Sequence, residues 1–114
     1  MAIPLKDDKG MGSAVNEHFS RSPFFMIIDE ASNGQKLIEN SAAFKPGHEG
    51  TMEMLHGNGV EKVLCSGIGP GALDYASELN IRVCFGRAKD AQELYEKYSR
   101  SELENVVDGS ACGP

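Results

Sequence analysis

Phe24-Phe25-Met26-Ile27-Ile28-Asp29, followed closely by Ala31-Ser32-Asn33-Gly34, commits this chain to a sheet. The first six residues form an apolar, β-branched run, too short for an ordinary helix and stopped at once by turn formers. An apolar run without polar alternation predicts a central strand covered on both faces. Asn33-Gly34 is a hairpin signal, because both residues tolerate positive φ. Residues 35–40 are therefore expected to return antiparallel, with Leu37 inward and Lys36 and Glu39 outward.

Upstream of this hairpin, residues 2–5 read as a first strand. Asp7, Asp8, Lys9 and Gly10 break it, Gly12 permits a turn, and Pro23 closes the loop that begins at Ser13. Downstream, residues 41–50 form a loop carrying Phe44, Pro46, Gly47 and His48. Met52 and Leu55, three apart, suit a short helix over residues 51–58 stopped by Gly59, and residues 60–65 are the next strand. Pro70 stands at a helix start, where its missing N–H costs little. Ala72, Leu73, Ala76 and Leu79 trace one face of that helix, Asn80 can take the left-handed cap, and residues 81–85 form another buried strand. Asp90 with Glu93 resembles a capping box. Ala91, Leu94, Tyr95 and Tyr98 at i, i+3, i+4 and i+7 carry a last helix to about Arg100. A strand hairpin followed by strand–helix repeats predicts one α/β domain over residues 1–105, three-layered around a mixed sheet. Residues 106–114 read as a flexible tail.

A chain of 114 residues, 40% hydrophobic and 25% charged, has the makeup of a single soluble globular domain. Its net charge of −6 repels phosphate backbones and argues against nucleic acid. The start lacks a basic leader, and no apolar run approaches the roughly 20 residues a bilayer requires. A cytoplasmic location without membrane contact is the expectation. Cys65, Cys84 and Cys112 are odd in number and contain no C-x-x-C pair, so reduced thiols are expected instead of a disulfide framework or zinc knuckle.

The polar chemistry is concentrated in Ser13-Ala14-Val15-Asn16-Glu17-His18-Phe19-Ser20-Arg21-Ser22-Pro23, between a glycine turn and the central strand. His18 can ligate iron or another borderline metal, or simply hydrogen-bond its own loop. Arg21 offers a planar fork to anionic oxygens, or pairs with Glu17 at the surface. Ser13, Asn16, Ser20 and Ser22 can reach a ligand or satisfy the loop backbone. Gly67-Ile68-Gly69-Pro70-Gly71-Ala72 fits G-x-G-x-x-A. It follows the fourth strand instead of the first, however, and no acidic residue ends the next strand, which counts against a dinucleotide. Backbone donors at a helix N-terminus remain. His48 can fold towards the same strand ends. Cys65 could supply a thiolate, Cys84 reads as core, and Cys112 could ligate metal or do nothing. No Ser-His-Asp arrangement or carboxylate pair stands out.

Ala2-Ile3-Pro4, the segment Ser13-x-Val15-x-Glu17-His18-Phe19-x-Arg21-x-Pro23-x-Phe25, Asn40-x-Ala42-Ala43, Gly47-His48-x-Gly50 and Gly67-x-Gly69-Pro70-x-Ala72 together resemble the dinitrogenase iron-molybdenum cofactor biosynthesis family. That family includes NifX, NafY and the C-terminal region of NifB. The resemblance spans nearly the whole chain. It implies a ribonuclease H-like α/β/α fold with a five-stranded mixed sheet, and a non-catalytic carrier of iron-sulfur or iron-molybdenum cofactor type clusters. On that carry-over His18 is the metal ligand, and Ser13, Asn16, Arg21, His48, Gly67 and Gly69 surround the cluster. Mild acid, by protonating the ring, should release the cargo. Metallocluster donor and acceptor proteins are the implied partners, with the chain a monomer or weak homodimer. Ser20 stands where the family commonly has Gly, and Phe44-Lys45-Pro46 is less glycine-rich than usual. Another relative, the orange protein, holds a molybdenum-copper cluster. Two other readings are a phosphate or nucleotide module using residues 67–72, and an interaction domain docking through its acidic helix.

Overall fold

The computed structural model describes residues 1–114. In chain order it contains β1 (Ala2–Leu5), β2 (Phe24–Asp29), β3 (Gly34–Glu39), α1 (Glu49–Gly57), β4 (Lys62–Cys65), α2 (Pro70–Glu78), β5 (Arg82–Phe85), α3 (Ala91–Ser99), β6 (Leu103–Asn105) and β7 (Ala111–Cys112). All strands join one mixed sheet in the order β3-β2-β1-β4-β5-β6-β7. β1, β4 and β5 run parallel, and the remaining neighbours are antiparallel.

The alternation of side chains across the pleat explains why β2 is apolar at every position. Phe25, with Ala2, Val63, Cys65 and Val83, lies under Met52 and Leu55 of α1 and Ala72 and Ala76 of α2. Met26 and Ile28, with Ile3, Leu5, Leu64 and Cys84, lie under Ala91, Leu94 and Tyr98 of α3. Helices thus cover both faces. Local signals agree with this packing: Asn33 and Asn80 take left-handed φ values of 59° and 58°. The Asp90 side chain accepts from the Glu93 amide at 2.8 Å. Glu93 reaches back to the Lys89 amide at 3.0 Å instead of to Asp90, so the capping box is displaced by one residue.

Four expectations are corrected. The sheet has seven strands where five were expected, because residues beyond α3 add β6 and β7. These strands are too short to show an alternating pattern, and they extend the sheet by pairing on the outer edge of β5. Residues 106–114, read as a tail, accordingly contain a strand, and Cys112 in it is fully buried. Cys112 is disulfide-bonded to Cys84, with their Cα atoms 5.8 Å apart, where reduced thiols were expected. Counting cysteines cannot show which two the sheet brings together. Leu37 points outward and is 38% exposed, while Ile38 packs against the core beneath α1 and α2. Leu37 opposes Met26 on the α3 side, but α3 packs chiefly over β1 and β4 and leaves Leu37 uncovered.

No helix is long and apolar enough to cross a membrane. The C-terminal ends of β1, β4 and β5 share one end of the sheet, and residues 6–23, 66–69 and 86–90 emerge there. The chain leaving β4 enters α2 on one face and the chain leaving β5 enters α3 on the other. Parallel sheets open a crevice at such a divergence.

Candidate functional site

After β1 the chain doubles back on itself. The Lys6 amide donates to the Ala14 carbonyl and the Asn16 amide to the Pro4 carbonyl, both at 3.0 Å, and Val15 forms a bridge with Leu5. A 3-10 turn then spans Phe19–Arg21. Phe19 is buried against Phe25, edge to face, with ring centroids 5.4 Å apart and planes at 71°. This anchored ring separates His18 and Arg21, which are both exposed. The Arg21 amide donates to the His18 carbonyl at 2.9 Å, tightening the turn.

The loop after β4 meets this turn backbone to backbone. A Cβ at Gly67 would lie 2.6 Å from the Glu17 carbonyl oxygen, so only glycine permits the approach. His18, Arg21 and Gly69 consequently line one shallow cleft of about 230 Å³, together with Glu17, Phe19 and Ser20. Gly69 is the N-cap of α2, which has no side-chain cap and carries Pro70 in its first turn.

The other residues singled out in the sequence take different positions. Ser13 is fully buried: its hydroxyl donates to Asp7 Oδ1 at 2.6 Å, and its carbonyl accepts from the Ala91 amide at 3.0 Å. It ties the loop to α3. Asn16 supports the cleft from behind, its Oδ1 accepting from the His18 amide at 2.9 Å. His48 lies at the contact of α1 with α2, edge to face on Tyr75 at 5.8 Å and against Gly71, where a Cβ would approach its ring to 2.9 Å. Its Nε2 is 3.6 Å from Glu49 Oε1. Gly67 lines a second groove of about 390 Å³ with Ile68, Phe85, Glu104, Asn105, Val106 and Gly109. The fold thus gathers His18, Arg21 and Gly69, and leaves Ser13 and His48 outside their cleft.

The idea that Cys65 supplies a thiolate is corrected. Its sulfur is fully buried, and burial pushes the thiol up to about 12, only partly opposed by the hydrogen bond from the Gly67 amide. Nowhere do three or more His, Cys, Asp or Glu side chains converge as a cage for a metal ion.

Two buried polar residues that matter to the cleft carry no signal of that role in the sequence. Asn40 Nδ2 donates to the Ser22 carbonyl at 2.9 Å and to Thr51 Oγ1 at 3.0 Å, and Asn40 Oδ1 accepts from the Ala42 amide at 3.0 Å. The Thr51 hydroxyl donates in turn to the Ser20 carbonyl at 2.9 Å. Through these bonds Asn40, together with Thr51 of α1, holds the carbonyls on both sides of Arg21. The motif Asn40-x-Ala42-Ala43 marked the place, but only the tertiary contacts reveal what it does. A third polar cluster, at the other end of the sheet, joins Glu30, Lys62 and Tyr98. The Tyr98 phenol donates to Glu30 Oε2 at 2.7 Å and accepts from Lys62, whose Nζ lies 4.7 Å from the ring centroid. Burial, and then the bond to Glu30, pushes this phenol well above the usual range.

Comparison with the curated proteins gives no significant match. Among solved structures, a provisionally named NifB protein from Thermotoga is 26% identical, covers 93% of this chain and 91% of its own, and superposes with a TM-score of 0.80. The apo form of the orange protein from Desulfovibrio gigas is 17% identical over 93% of this chain and 91% of its own, with a TM-score of 0.83. A provisionally assigned dinitrogenase from Methanocaldococcus jannaschii is 19% identical over 94% and 95%, with a TM-score of 0.63. The last two show a common fold. The family model described as dinitrogenase iron-molybdenum cofactor matches residues 1–101, the whole span that carries the His18 turn and the Gly67 loop, and the chain therefore belongs to that family.

Proposed function

We propose that this protein is a non-catalytic carrier for an iron-sulfur or iron-molybdenum type metallocluster, with His18 as the metal ligand. The observation that carries the reading is the placement of His18 and Arg21. Both are exposed, on either side of the buried Phe19, and line one cleft with Gly69. One imidazole cannot encage a bare ion, which needs several ligands. It can complete the coordination of a cluster that arrives with its other positions filled. A hold through one neutral nitrogen is also reversible, since the proton competes with the metal for the same lone pair.

Arg21 complements this chemistry. The sulfide periphery of such a cluster is anionic, and a guanidinium fork meets it without competing for the metal. The close contact of Gly67 with the Glu17 carbonyl keeps the turn seated against the start of α2. Loading and unloading require donor and acceptor proteins to reach the same open cleft, so a monomer or weak homodimer that leaves it uncovered suits the role. A location in the cytoplasm belongs to the same proposal.

Anaerobic reconstitution with a cluster donor, followed by visible absorption and assay of Fe, Mo and Cu, tests the reading. Wild-type protein should retain colour through desalting, His18→Ala should lose most of it, and Arg21→Ala should fall between them. Equal spectra for wild type and His18→Ala would overturn the assignment. A phosphate compound that shifts the amides of residues 67–72 without metal would instead favour a phosphate-binding module, for which the uncapped α2 N-terminus is the relevant feature.

A further inference from the structure

The disulfide between Cys84 and Cys112 is placed where it can control a cavity wall. Cys84 belongs to β5, inside the sheet, and Cys112 to the two-residue edge strand β7, with β6 between them in the strand order. The bond therefore staples the last hairpin to the parallel centre across 28 residues of sequence. Apart from that bond and the core packing of Leu103 and Val106, the hairpin is held by few backbone pairings. β7 pairs with β6 only through Leu103↔Cys112 and Glu104↔Ala111, and β6 with β5 only through Cys84↔Asn105 and Phe85↔Glu104. One further bond, from the Val106 amide to the Val83 carbonyl at 3.1 Å, secures the turn.

That hairpin and its turn supply Glu104, Asn105, Val106 and Gly109 to the groove of about 390 Å³, whose opposite wall is Gly67, Ile68 and Phe85. Gly67 is also the residue against which the Glu17 carbonyl seats. The groove and the His18 cleft thus share one loop.

We infer that Cys84–Cys112 is a redox clasp: oxidised, it fixes the outer wall of the groove beside the Gly67 loop, and reduced, it lets the β6–β7 hairpin open. The reductant is a dithiol. One of its thiolates attacks the Cys112 sulfur, which is buried but is reached when the two-residue edge strand β7 frays, forming a mixed disulfide and expelling Cys84 as a thiolate that takes up a proton. The second thiol of the reductant then attacks its own mixed-disulfide sulfur and releases Cys112. The Cys84–Cys112 bond is broken, one disulfide forms in the reductant, and two electrons and two protons end on the cysteines. A two-electron thiol oxidant reverses the exchange. The inference is independent of what the His18 cleft carries.

The full-length protein, oxidised with diamide or reduced with dithiothreitol, provides the test. Unfolding in the presence of N-ethylmaleimide should add one label to the oxidised form, at Cys65, and three to the reduced form. On reduction, amide exchange over residues 103–112 should accelerate about tenfold or more while that of β2 and β4 stays unchanged, since local opening is governed by the contacts of the opening unit. The Cys84→Ser/Cys112→Ser protein should exchange like the reduced wild type in either condition. Three labels on the oxidised protein, or identical exchange of residues 103–112 before and after reduction, would overturn the inference. The wild-type comparison decides the matter alone if the double variant does not fold.

Discussion

Replacing Asn40 by alanine probes how the His18 turn is held. The substitution removes three hydrogen bonds at a residue only 4% exposed: those to the Ser22 carbonyl, to Thr51 Oγ1 and from the Ala42 amide. At about 1 kcal/mol net for each bond, with some relief if water enters the space, the cost is about 3 kcal/mol. An unfolding entropy of about 2.1 cal/mol/K per residue makes that a fall in Tm of about 12 °C for a chain of this size. Thr51→Val keeps the shape and loses two of the bonds, so it should cost about 2 kcal/mol. Because one bond is common to both residues, Asn40→Ala/Thr51→Val should cost less than the sum of the single changes, by about 1 kcal/mol. Thermal and urea unfolding measure all three, and amide shifts of residues 18–22 report whether the turn itself moves. A fall in Tm below about 4 °C for Asn40→Ala, or a fully additive pair, would refute the claim that Asn40 and Thr51 together hold the turn through these bonds.

Gly67→Ala places a Cβ 2.6 Å from a backbone oxygen that cannot rotate away; it should cost about 1–3 kcal/mol and shift the amides of residues 17–19, and an unchanged Tm with shifts confined to residue 67 would contradict the close seating. Asp7 titrates below its ordinary value of 3.8, first because the Ser13 hydroxyl donates to it and next because the Lys9 amide does. A carboxylate lowered in this way stabilises the fold fully above its unfolded value, and that contribution is lost as pH falls through the lowered folded one. Ser13→Ala should therefore raise the Asp7 titration towards the ordinary value, as read from side-chain carboxyl carbon shifts, and an unmoved titration would refute the cause. Burial and a thiol pushed up to about 12 should make Cys65 alkylate at pH 8 only as fast as the protein unfolds; labelling at the rate of a free thiol would show that the site opens independently.

The cysteines illustrate how far sequence composition reaches. Three thiols without a C-x-x-C pair speak for a reduced protein, yet β7 brings Cys112 onto Cys84. The pairing depends on a two-residue strand that has no local signal and exists only as an addition to the open side of β6. Leu37 is a similar case: its alternation with Lys36 speaks for a strand, but burial depends on a helix lying above it, and α3 packs chiefly over β1 and β4.

Local chemistry was sufficient to place β1, β2, the Asn33-Gly34 turn, the capped start of α3 and the Pro70 start of α2, because each depends on residues within a few positions of one another. The unbroken apolar runs of the strands and the 3.6 period of the helices also required a layered α/β arrangement, since apolar faces need partners. Where His18, Arg21 and Gly69 meet, why Gly67 must be glycine, and what Asn40 and Thr51 hold are consequences of packing between segments 18 to 51 residues apart. Hydrogen bonds and close approaches over that range leave no periodic trace in the chain; they come into being only when the sheet and its helices bring the loops together.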